Sequence, residues 1–586
     1  MHPAGHMADG DARGNGNLCG AMIDRIHAFE GGNMKIGIDS FRCGDDGQTF
    51  AAAMAYCREH SGTTLTIPPG VYTITGELAR AAQEHVMRGD WGGNPQRVMF
   101  HPAYRYDRGL DFAGQKGTRI LAEGVTLLVD GFMEPVSVRD CEDVEIVGLT
   151  VDHKRKPFSY AVVRTDGIPR EDGSVCAELV FAPETPIVPP SVSDDGQPVR
   201  GTNLTLRYLF HDPAAGKAVP SPLRILNIID SRTAQCLVGP QVKDGMEFTC
   251  IHTYHARPAI LIENARRITL TDVTIHSQPG MGIVGNRSED VILKRLRVVP
   301  SVGTRWSTNT DATHFTSMKG LLRFENCEFE GQGDDFTNVH GYYQEAVKRE
   351  SDTVVWLREK TPDGTHAQSL DYPDPGDLME MTSHDTLETK ETFRVADCTP
   401  VPEEWMCRVT FDRPLPENLD GWMFADVTRL PRLEVVGCSA SSHFARSILV
   451  KTRSAWIEGN TFRDVQGPAI VAAAESWWYE GVCPADVVIR RNRIVGCGWA
   501  WGEAAGIVVK ADADHPTGQS IRNIIIEDNL IDAPEKEHAI FCRNVDGLRI
   551  ARNQTRVSGE AAVIENCVNV EYCRDLSDSS IVRKGR

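Results

Sequence analysis

Short apolar strands recur along the chain, and each is followed by a polar corner that often contains asparagine. The pattern appears as LRFENCEF around Asn326, AWIEGNTF around Asn460, VVIRRNRI around Asn492, IIIEDNLI around Asn529 and LRIARNQT around Asn553. Asn529 and Asn553 are 24 residues apart, which suits one coil of a solenoid. Asparagine tolerates the left-handed backbone of a tight corner, and stacked asparagines can hydrogen-bond from coil to coil. The pattern favours a parallel β-helix over a β-sandwich, because the Asn-Gly turns typical of hairpins are scarce.

One amphipathic helix is expected before the strands begin. In the segment GDDGQTFAAAMAYCREHSG, Phe50, Met54 and Cys57 fall on one helical face, and Gly62 supplies the stop. The end of a solenoid exposes apolar surface and unpaired strand edges, which a terminal helix can cover. We therefore expect this helix to cap the N-terminal end of the β-helix.

The strand pattern lapses twice, and both lapses predict small β domains inserted on coil loops. Each insertion could wall a substrate groove or merely decorate the surface. The leader has no periodicity, and we expect it to be disordered or a mis-assigned start, with translation beginning at Met34. The predicted division is leader 1–33, cap and first coils 34–153, first insertion 154–259, central coils 260–342, second insertion 343–430, C-terminal coils 431–575 and tail 576–586.

The charge balance excludes several classes of partner. Lys and Arg number 62 and Asp and Glu number 81, giving a formal net charge of -19, which repels nucleic acid and anionic lipid. No stretch approaches the roughly 20 continuous apolar residues of a membrane span, and the first 34 residues lack the apolar core of a signal peptide. The 16 cysteines include no CxxC pair, which favours free thiols in a reducing compartment. We expect a cytoplasmic protein that acts on neutral substrates.

Three aspartates in the segment STNTDATHFTSMKGLLRFENCEFEGQGDDFTNVHG are the strongest candidates for chemistry. Asp311 and Asp334 are 23 residues apart, one coil of the solenoid, so they should lie nearly above one another. On a regular strand Asp335 would point away from Asp334, but Gly331 and Gly333 allow a bend that brings both outward. We expect the three carboxylates to converge.

Three close carboxylates suit the hydrolysis of a glycosidic bond. Like charges this close cannot all ionise, so one pKa rises and another stays low, as an acid and a base require. The acid protonates the leaving oxygen, and carboxyl groups roughly 6.5–9.5 Å apart leave room for a water that the base activates. A third aspartate holding the same water favours inversion of the anomeric centre. The alternative for three clustered carboxylates is a calcium site.

Three motifs resemble glycoside hydrolase family 110, the α-1,3-galactosidases that act on blood-group-B-type and linear galactosyl-α-1,3-galactose ends. The motifs are PGMGIVG at 279–285, STNTDATHF at 307–315 and GQGDDFTNVHGYY at 331–343. The resemblance implies a β-helix with small β-barrel insertions, inversion, no required cofactor, and catalytic roles for Asp311, Asp334 and Asp335. More distantly, NTD, DD and HG resemble the polygalacturonases of family 28, which implies Asp334 as acid with Asp311 and Asp335 on the water. The expected fold is all-β, a right-handed parallel β-helix with an N-terminal capping helix and two inserted β-barrel-like domains.

Further side chains are predicted to bind the substrate. They are Asn309, His340, Arg446, Trp477 and Trp478, with Trp306, Trp499 and Trp501 as weaker candidates. His340 can orient a carboxylate or bind a hydroxyl, and the planar fork of Arg446 suits vicinal sugar hydroxyls. Trp477 and Trp478 interrupt a strand of small residues, where an indole can form a platform for a sugar ring. A purely structural role is the alternative for each.

The sequence predicts an exo-acting, inverting glycoside hydrolase that needs no metal or cofactor. Its substrate would be an oligosaccharide with a terminal α-linked galactose, α-1,3-linked if the resemblance extends to the linkage. One alternative is another exo-hydrolase such as a galacturonidase. A second alternative, a polysaccharide lyase, would require calcium and a basic residue beside a uronate. The third, a glycan-binding solenoid without catalysis, would not require three aspartates close together on adjacent coils. Whether the chain forms a homo-oligomer stays open.

Overall fold

The computed structural model describes residues 34–192, 198–359, 370–573 and 581–584. The predicted leader 1–33, with the hypothesis of a start at Met34, and most of the predicted tail lie outside the described residues. No helix within these ranges is long and apolar enough to cross a membrane.

The first of two long parallel sheets, called sheet 1, follows the chain from its first strand to its last coils. Each strand pairs in parallel with the strand of the next coil, so that Ile292 lies between Thr269 and Arg323. Within the described ranges its 22 strands are Lys35–Gly37, Thr64–Thr66, Gly70–Thr75, Arg119–Asp130, Glu142–His153, Arg266–Thr271, Thr274–Ile275, Glu289–Lys294, Arg297–Val298, Lys319–Glu325, Glu328–Glu330, Arg432–Val436, Ser439–Ser441, Arg453–Glu458, Thr461–Arg463, Ala485–Arg490, Arg493–Val495, Ile521–Glu527, Leu530–Asp532, Val545–Ala551, Gln554–Arg556 and Val568–Cys573.

The second parallel sheet, called sheet 2, is built from another straight segment of the same coils. The short strand Glu480–Gly481 joins it antiparallel. Its parallel strands are Arg108–Asp111, Glu134–Arg139, Ile260–Glu263, Ile283–Asn286, Thr313–Thr316, the start of Thr337–Arg349, Ile448–Val450, Ile470–Glu475, Ile507–Asp512, His538–Arg543, Glu560–Glu565 and Ile581–Lys584.

Apolar side chains stack in columns inside the coils. Val291, Leu322 and Leu433 occupy matching positions in three successive strands of sheet 1, and all three are fully buried. The same core cluster continues from the first coil to the last strands. Because every coil covers the apolar face of its neighbour, the long parallel sheets are consistent with the predicted β-helix.

A ladder of asparagine side chains fixes one corner of the C-terminal coils. The Nδ2 group of Asn460 donates to Oδ1 of Asn492 at 3.0 Å, Asn492 donates to Asn529 at 3.0 Å, and Asn529 donates to Asn553 at 2.9 Å. All of these side chains are buried, so each hydrogen bond satisfies polar groups that have left water. The predicted stacking of corner asparagines is therefore confirmed from Asn460 to Asn553.

The left-handed backbone at this corner belongs to a different residue than predicted. The residue that precedes each ladder asparagine carries the positive φ angle, 67° at Gly459, 53° at Arg491, 57° at Asp528 and 52° at Arg552. The asparagine that follows turns its side chain into the coil, because its amide is needed for the ladder. The prediction that asparagine takes the strained position was wrong by one residue, except at Asn326, where φ is 54°.

The predicted capping helix is present at Asp46–Glu59. The side chain of Asp45 accepts a hydrogen bond from the backbone N–H of Gln48 and so caps the first turn. Phe50, Met54 and Cys57 are buried as predicted. The described residues also contain helices that were not predicted, namely the α-helices Glu77–Arg88 and Gln96–Met99, the 3₁₀ turn Ile38–Phe41 between the first strand and the cap, and a second 3₁₀ turn in the second insertion.

The first insertion is an open antiparallel sheet rather than the predicted barrel. Its end strands, Lys217–Val219 and Leu223–Asp230, each pair on one side only within the described residues. It has its own core, in which the rings of Phe210 and Phe248 lie 5.1 Å apart. Its strands are Phe158–Arg164, Val175–Phe181, Tyr208–Asp212, Lys217–Val219, Leu223–Asp230, Thr233–Val238 and Glu247–Ile251, beside a separate pair Ser191–Val192 and Pro198–Val199.

The second insertion closes into a barrel, to which the described residues contribute six strands. Strand Thr337–Arg349 leaves sheet 2 and pairs antiparallel with both Val354–Arg358 and Trp422–Asp426, which completes the ring. The remaining strands are Leu378–Ser383, Thr389–Val401 and Met406–Phe411, with a 3₁₀ turn at Pro402–Glu404. Since one continuous strand serves both the coil and the barrel, the barrel is anchored directly beside sheet 2.

Candidate active site

Three charged residues stand in one column where strands of sheet 2 begin. Asp311, Asp335 and Arg446 each lie two residues before a strand of this sheet. The backbone ladder continues through the turn, because Ala312 N donates to the Asp335 carbonyl at 2.9 Å and Phe336 N donates to the Arg446 carbonyl at 3.2 Å. The register therefore stacks Asp335 on Asp311, and the prediction that Asp334 would lie above Asp311 was wrong by one residue.

Two glycines shape the turn that carries the aspartate pair. Gly331 has a φ of 68°, in the left-handed region, as the predicted bend requires. At Gly333 a Cβ atom would lie 2.1 Å from the carbonyl oxygen of Asn309. The turn can approach the preceding coil this closely only because Gly333 has no side chain, and the approach turns Asp334 and Asp335 toward the same cavity.

The three predicted carboxylates converge. One oxygen from each of Asp311, Asp334 and Asp335 lies within 4.8 Å of the others. Their environments differ, because the side chain of Asp334 is 26% exposed, that of Asp311 8% and that of Asp335 3%. A group approaching from solvent therefore reaches Asp334 first.

Asp334 is held by an arginine from the first insertion. Nη1 of Arg207 donates to Oδ2 of Asp334 at 2.8 Å. The guanidinium also lies 5.3 Å from the ring centroid of Tyr254 and 5.6 Å from that of Phe444, which fix its plane. The first insertion thus supplies part of the site and does more than decorate the surface.

Asp335 is held by the next coil. Arg446 donates from its backbone N at 2.7 Å and from Nε at 3.1 Å to Oδ1, and from Nη2 at 2.9 Å to Oδ2. Burial raises the pKa of Asp335 to about 7, even though Arg446 opposes the rise. Three donors on one carboxylate fix its orientation and favour its ionised form.

A chain of hydrogen bonds leads from Asp311 into the solenoid. Nδ1 of His314 lies 2.7 Å from Oδ2 of Asp311, its Nε2 lies 2.8 Å from Nε2 of His340, and Nδ1 of His340 lies 3.0 Å from the Gly341 carbonyl. Burial lowers the pKa of His314 to about 4 and that of His340 to about 3, so both rings are neutral near pH 7.

The direction of this chain places a proton on Asp311. The Gly341 carbonyl only accepts, so Nδ1 of His340 carries the hydrogen and its Nε2 accepts from His314. A neutral His314 that donates from Nε2 must accept at Nδ1, which leaves Asp311 as the donor. The pKa of Asp311 agrees, because burial and the charges of Asp334 and Glu480 raise it well above its usual range.

Two buried glutamates that the sequence did not single out complete the charge network. Nζ of Lys451 lies 2.7 Å from Glu475 and 2.8 Å from Glu480, and it donates to the side chain of Asn338 at 3.0 Å. Glu475 also pairs with Arg446 at 3.3 Å. Lys451 is fully buried, so it neutralises the two glutamates from inside the coil and does not reach the cavity surface.

The cavity above this network has a volume of about 440 Å³. It is lined by the three aspartates, the two arginines that hold Asp334 and Asp335, both glutamates, and aromatic side chains that include Trp478 and Trp501. Trp478 is 47% exposed and Trp501 41% exposed, so both present indole surface to the opening. The arrangement offers proton transfer at its floor and apolar contacts at its rim.

Two of the predicted polar contacts lie outside the cavity. Asn309 is fully buried, and its Nδ2 donates to the Thr253 carbonyl at 2.9 Å, so it joins the coil to the end of the first insertion. His340 is buried beneath His314 and reaches the aspartates only through that ring. Neither residue can touch a substrate, whereas the predicted Arg446 lines the cavity.

Only some of the tryptophans predicted to bind substrate line the cavity. Trp478 and the weaker candidate Trp501 line the cavity, but Trp477, although 61% exposed, does not. Trp306 is buried and donates from Nε1 to the Thr308 carbonyl at 2.8 Å, so it belongs to the core. Trp499 lines a neighbouring cavity.

The predicted alternative of a calcium site fits these contacts poorly. Calcium takes 6–8 oxygen ligands, several of them charged. Here Arg446 occupies both oxygens of Asp335, and Arg207 binds Asp334. Two guanidinium groups directly beside the trio would repel a divalent cation, so the geometry suits proton transfer better than metal binding.

Known proteins resemble this chain over most of its length. No protein-family model matches the chain. Alpha-1,3-galactosidase A of Bacteroides fragilis is 25% identical over 539 residues, which cover 87% of this chain and 84% of that protein. Alpha-1,3-galactosidase B of Akkermansia muciniphila is 24% identical over 569 residues, 88% of this chain and 65% of that protein.

Among solved structures, the family 28 exopolygalacturonase of Yersinia enterocolitica matches with a TM-score of 0.34 and 9% identity, over 94% of this chain and 76% of that chain. The sequence matches, which span most of the chain, confirm the resemblance predicted from the three motifs. The chain is a distant homologue of the α-1,3-galactosidases.

Proposed function

We propose that this protein is an exo-acting, inverting glycoside hydrolase on a right-handed β-helix, which releases terminal α-1,3-linked galactose from oligosaccharides. The observation that carries the proposal is the convergence of Asp311, Asp334 and Asp335 at one cavity, with a different partner for each carboxylate. Unequal environments let neighbouring carboxylates act as acid and base at one pH.

The partners of the aspartates support a division of labour. Asp334 is the most exposed of the three and would contact the leaving oxygen. The resting proton on Asp311 lies within reach of Asp334, because one carboxylate oxygen of each lies within 4.8 Å of the other. Transfer of that proton through Asp334 to the leaving oxygen leaves Asp311 ionised, so that Asp311 and Asp335 can together take a proton from the attacking water.

The charges of the cavity favour a neutral sugar over a uronate. A uronate carboxylate would require an available cation, but both arginines in the described lining are already paired with carboxylates. The same reasoning disfavours a lyase, which would need a basic residue and a metal beside the uronate. The galacturonidase alternative predicted from the sequence therefore ranks below the galactosidase, as the second candidate.

Released galactose tests the proposed activity. Purified protein is incubated with aryl α-galactosides, with α-1,3-linked galactobiose and with an α-linked galacturonide. We expect galactose from the galactobiose and none of the unsaturated, ultraviolet-absorbing products of a lyase. Release from the galacturonide alone would reject the galactosidase in favour of the second candidate. If none of the glycans is cleaved, the protein would be a glycan-binding protein and not a hydrolase.

We expect the first product to be β-galactose. Three carboxylates around one water leave no isolated nucleophile, which supports inversion. The oxygens lie within 4.8 Å, closer than the roughly 6.5–9.5 Å of an ordinary inverting pair and near the roughly 5–5.5 Å of a retaining pair. Spacing alone would therefore suit retention, and proton NMR of the product before mutarotation decides. α-Galactose as the first product would show a covalent mechanism.

We expect activity to be unchanged after dialysis against EDTA. The three carboxylates already have Arg207, Arg446 and His314 as partners, and the proposed proton transfers require no metal ligand among them. The rate of galactose release is compared before and after dialysis, with and without added calcium. Loss of activity that calcium restores would assign the aspartates as metal ligands.

A further inference from the structure

A second cavity of about 570 Å³ adjoins the active-site cavity. Three chain segments contribute to both, each through residues one or two positions apart. They are Arg207 and Leu209, Ala445 and Phe444, and Trp501 and Trp499, with the first of each pair in the active-site cavity. The two cavities therefore share a partition, formed by the side chains of Arg207 and Phe444.

Ring contacts and an ion pair hold the partition in place. The ring of Phe444 stacks on Trp306 with centroids 4.9 Å apart, and Trp306 is buried in the core. The guanidinium of Arg207 lies 5.6 Å from the same ring and is fixed by its ion pair with Asp334. A molecule that extends from one cavity to the other would have to cross this edge, between Trp501 on one side and Trp499 on the other.

The second cavity offers an aromatic surface among balanced charges. Trp499 is 41% exposed, and its Nε1 donates to the Asp464 carbonyl at 3.4 Å, so the indole is held by its edge. The lining carries the cations Lys217 and Arg305 and the carboxylates of Glu330 and Asp464, and Arg305 is also paired with Glu247 outside the lining. Two cations and two carboxylates make the wall formally neutral.

The histidines of the lining do not change this balance. Burial lowers the pKa of His443 to about 4, and burial with the charge of Arg305 also lowers the pKa of His211. Both rings are neutral near pH 7. A phosphate or a uronate would therefore find no net positive charge here, whereas a neutral ligand rich in hydroxyl groups could bond to both signs of charge and stack on the indole.

We propose that the second cavity binds the reducing-end sugars of the oligosaccharide whose terminal galactose enters the active site. This inference rests on the proposed function, because it assigns the remainder of the same substrate. The active-site cavity would hold the terminal galactose and its neighbour, and the following neutral sugars would cross Phe444 and stack on Trp499. The volume lies within the roughly 300–1,000 Å³ usual for ligand pockets.

The test compares Trp499→Ala on substrates of two lengths. The short substrate is α-1,3-galactobiose, and the long one is a neutral linear tetrasaccharide with galactobiose at its non-reducing end. We expect kcat/KM for the tetrasaccharide to fall about tenfold, the loss of one aromatic contact, with kcat/KM for galactobiose unchanged. Trp499→Phe should keep most of the preference for the longer substrate. The matched control is Trp477→Ala, since Trp477 is exposed but lines neither cavity.

Equal losses on both substrates, or no loss on either, would overturn the proposal. Calorimetric binding of the two saccharides to Asp335→Asn, with and without Trp499→Ala, separates this result from the proposed activity. If the wild-type protein cleaves neither saccharide, the proposed function fails, and the binding arm still decides the second cavity. Weaker binding of the tetrasaccharide alone supports it, and unchanged binding of both rejects it.

Discussion

Asp334→Asn is expected to lose about 10²–10⁴-fold in turnover of α-1,3-galactobiose while keeping most of its activity on α-galactosyl fluoride. A disaccharide has a poor leaving group that must be protonated, and Asp334 is the carboxylate most open to the cavity. Fluoride departs without a proton, so the loss of the acid matters little. Asparagine keeps the shape of the side chain and an oxygen that can accept from Arg207, but it loses both the transferable proton and the charge that pairs with Arg207.

The neighbouring aspartates provide the controls for this result. Asp335→Asn and Asp311→Asn should be poor on both substrates, because each removes a group that handles the water. Initial rates on galactobiose and on the fluoride are compared for all three variants. Selective rescue of Asp311→Asn by the fluoride would make Asp311, which carries the resting proton, the acid that protonates the leaving oxygen directly.

Lys451→Met is expected to lower the free energy of unfolding by about 3–5 kcal/mol. Methionine has nearly the same length, so the change removes the charge and leaves little empty volume. Glu480 and Glu475 would then lose the Lys451 ammonium in buried positions, while Arg446 would stay beside Glu475. An uncompensated buried carboxylate is costly because the interior cannot replace its hydration.

Equilibrium urea unfolding followed by circular dichroism measures this effect. Lys154→Met is the matched control, since Lys154 is 62% exposed beside Asp130 and an exposed pair contributes about 0–1 kcal/mol. The double variant Lys451→Met with Glu480→Gln should recover part of the loss. If Lys451→Met unfolds at the same urea concentration as the control, the buried charges are not what stabilises this part of the coil.

The repeat in the sequence predicted the coils but not their register. The count from Asp311 to Asp334, 23 residues, is close to one coil, yet strand pairing sets Thr313 opposite Thr337, a step of 24. Hydrophobic periodicity shows that two segments belong to neighbouring coils. It does not show how many residues the turn between them consumes, and that number decides which aspartate is stacked and which faces the cavity.

The site residues that the sequence did not reveal come from outside the repeat. Arg207 belongs to the first insertion, and Glu480 follows a loop after its coil strand, so neither has a fixed spacing to the aspartates. His314 was within the NTDATHF motif, three residues after Asp311, and its position there was a usable signal. Asn309 shows the opposite case, because membership of a motif reflected a structural hydrogen bond rather than contact with substrate.

The barrel inserted between Asp335 and Arg446 also sets an order of events during synthesis. The two residues are hydrogen-bonded but 111 positions apart, so the ribosome completes Asp335 well before its counter-ion. At about 5–20 residues per second, the interval is roughly 6–22 s. During that time the growing coil ends in a carboxylate without its arginine and in a strand edge without its next neighbour. The nascent chain can therefore fold the barrel before Arg446 is available to bind Asp335.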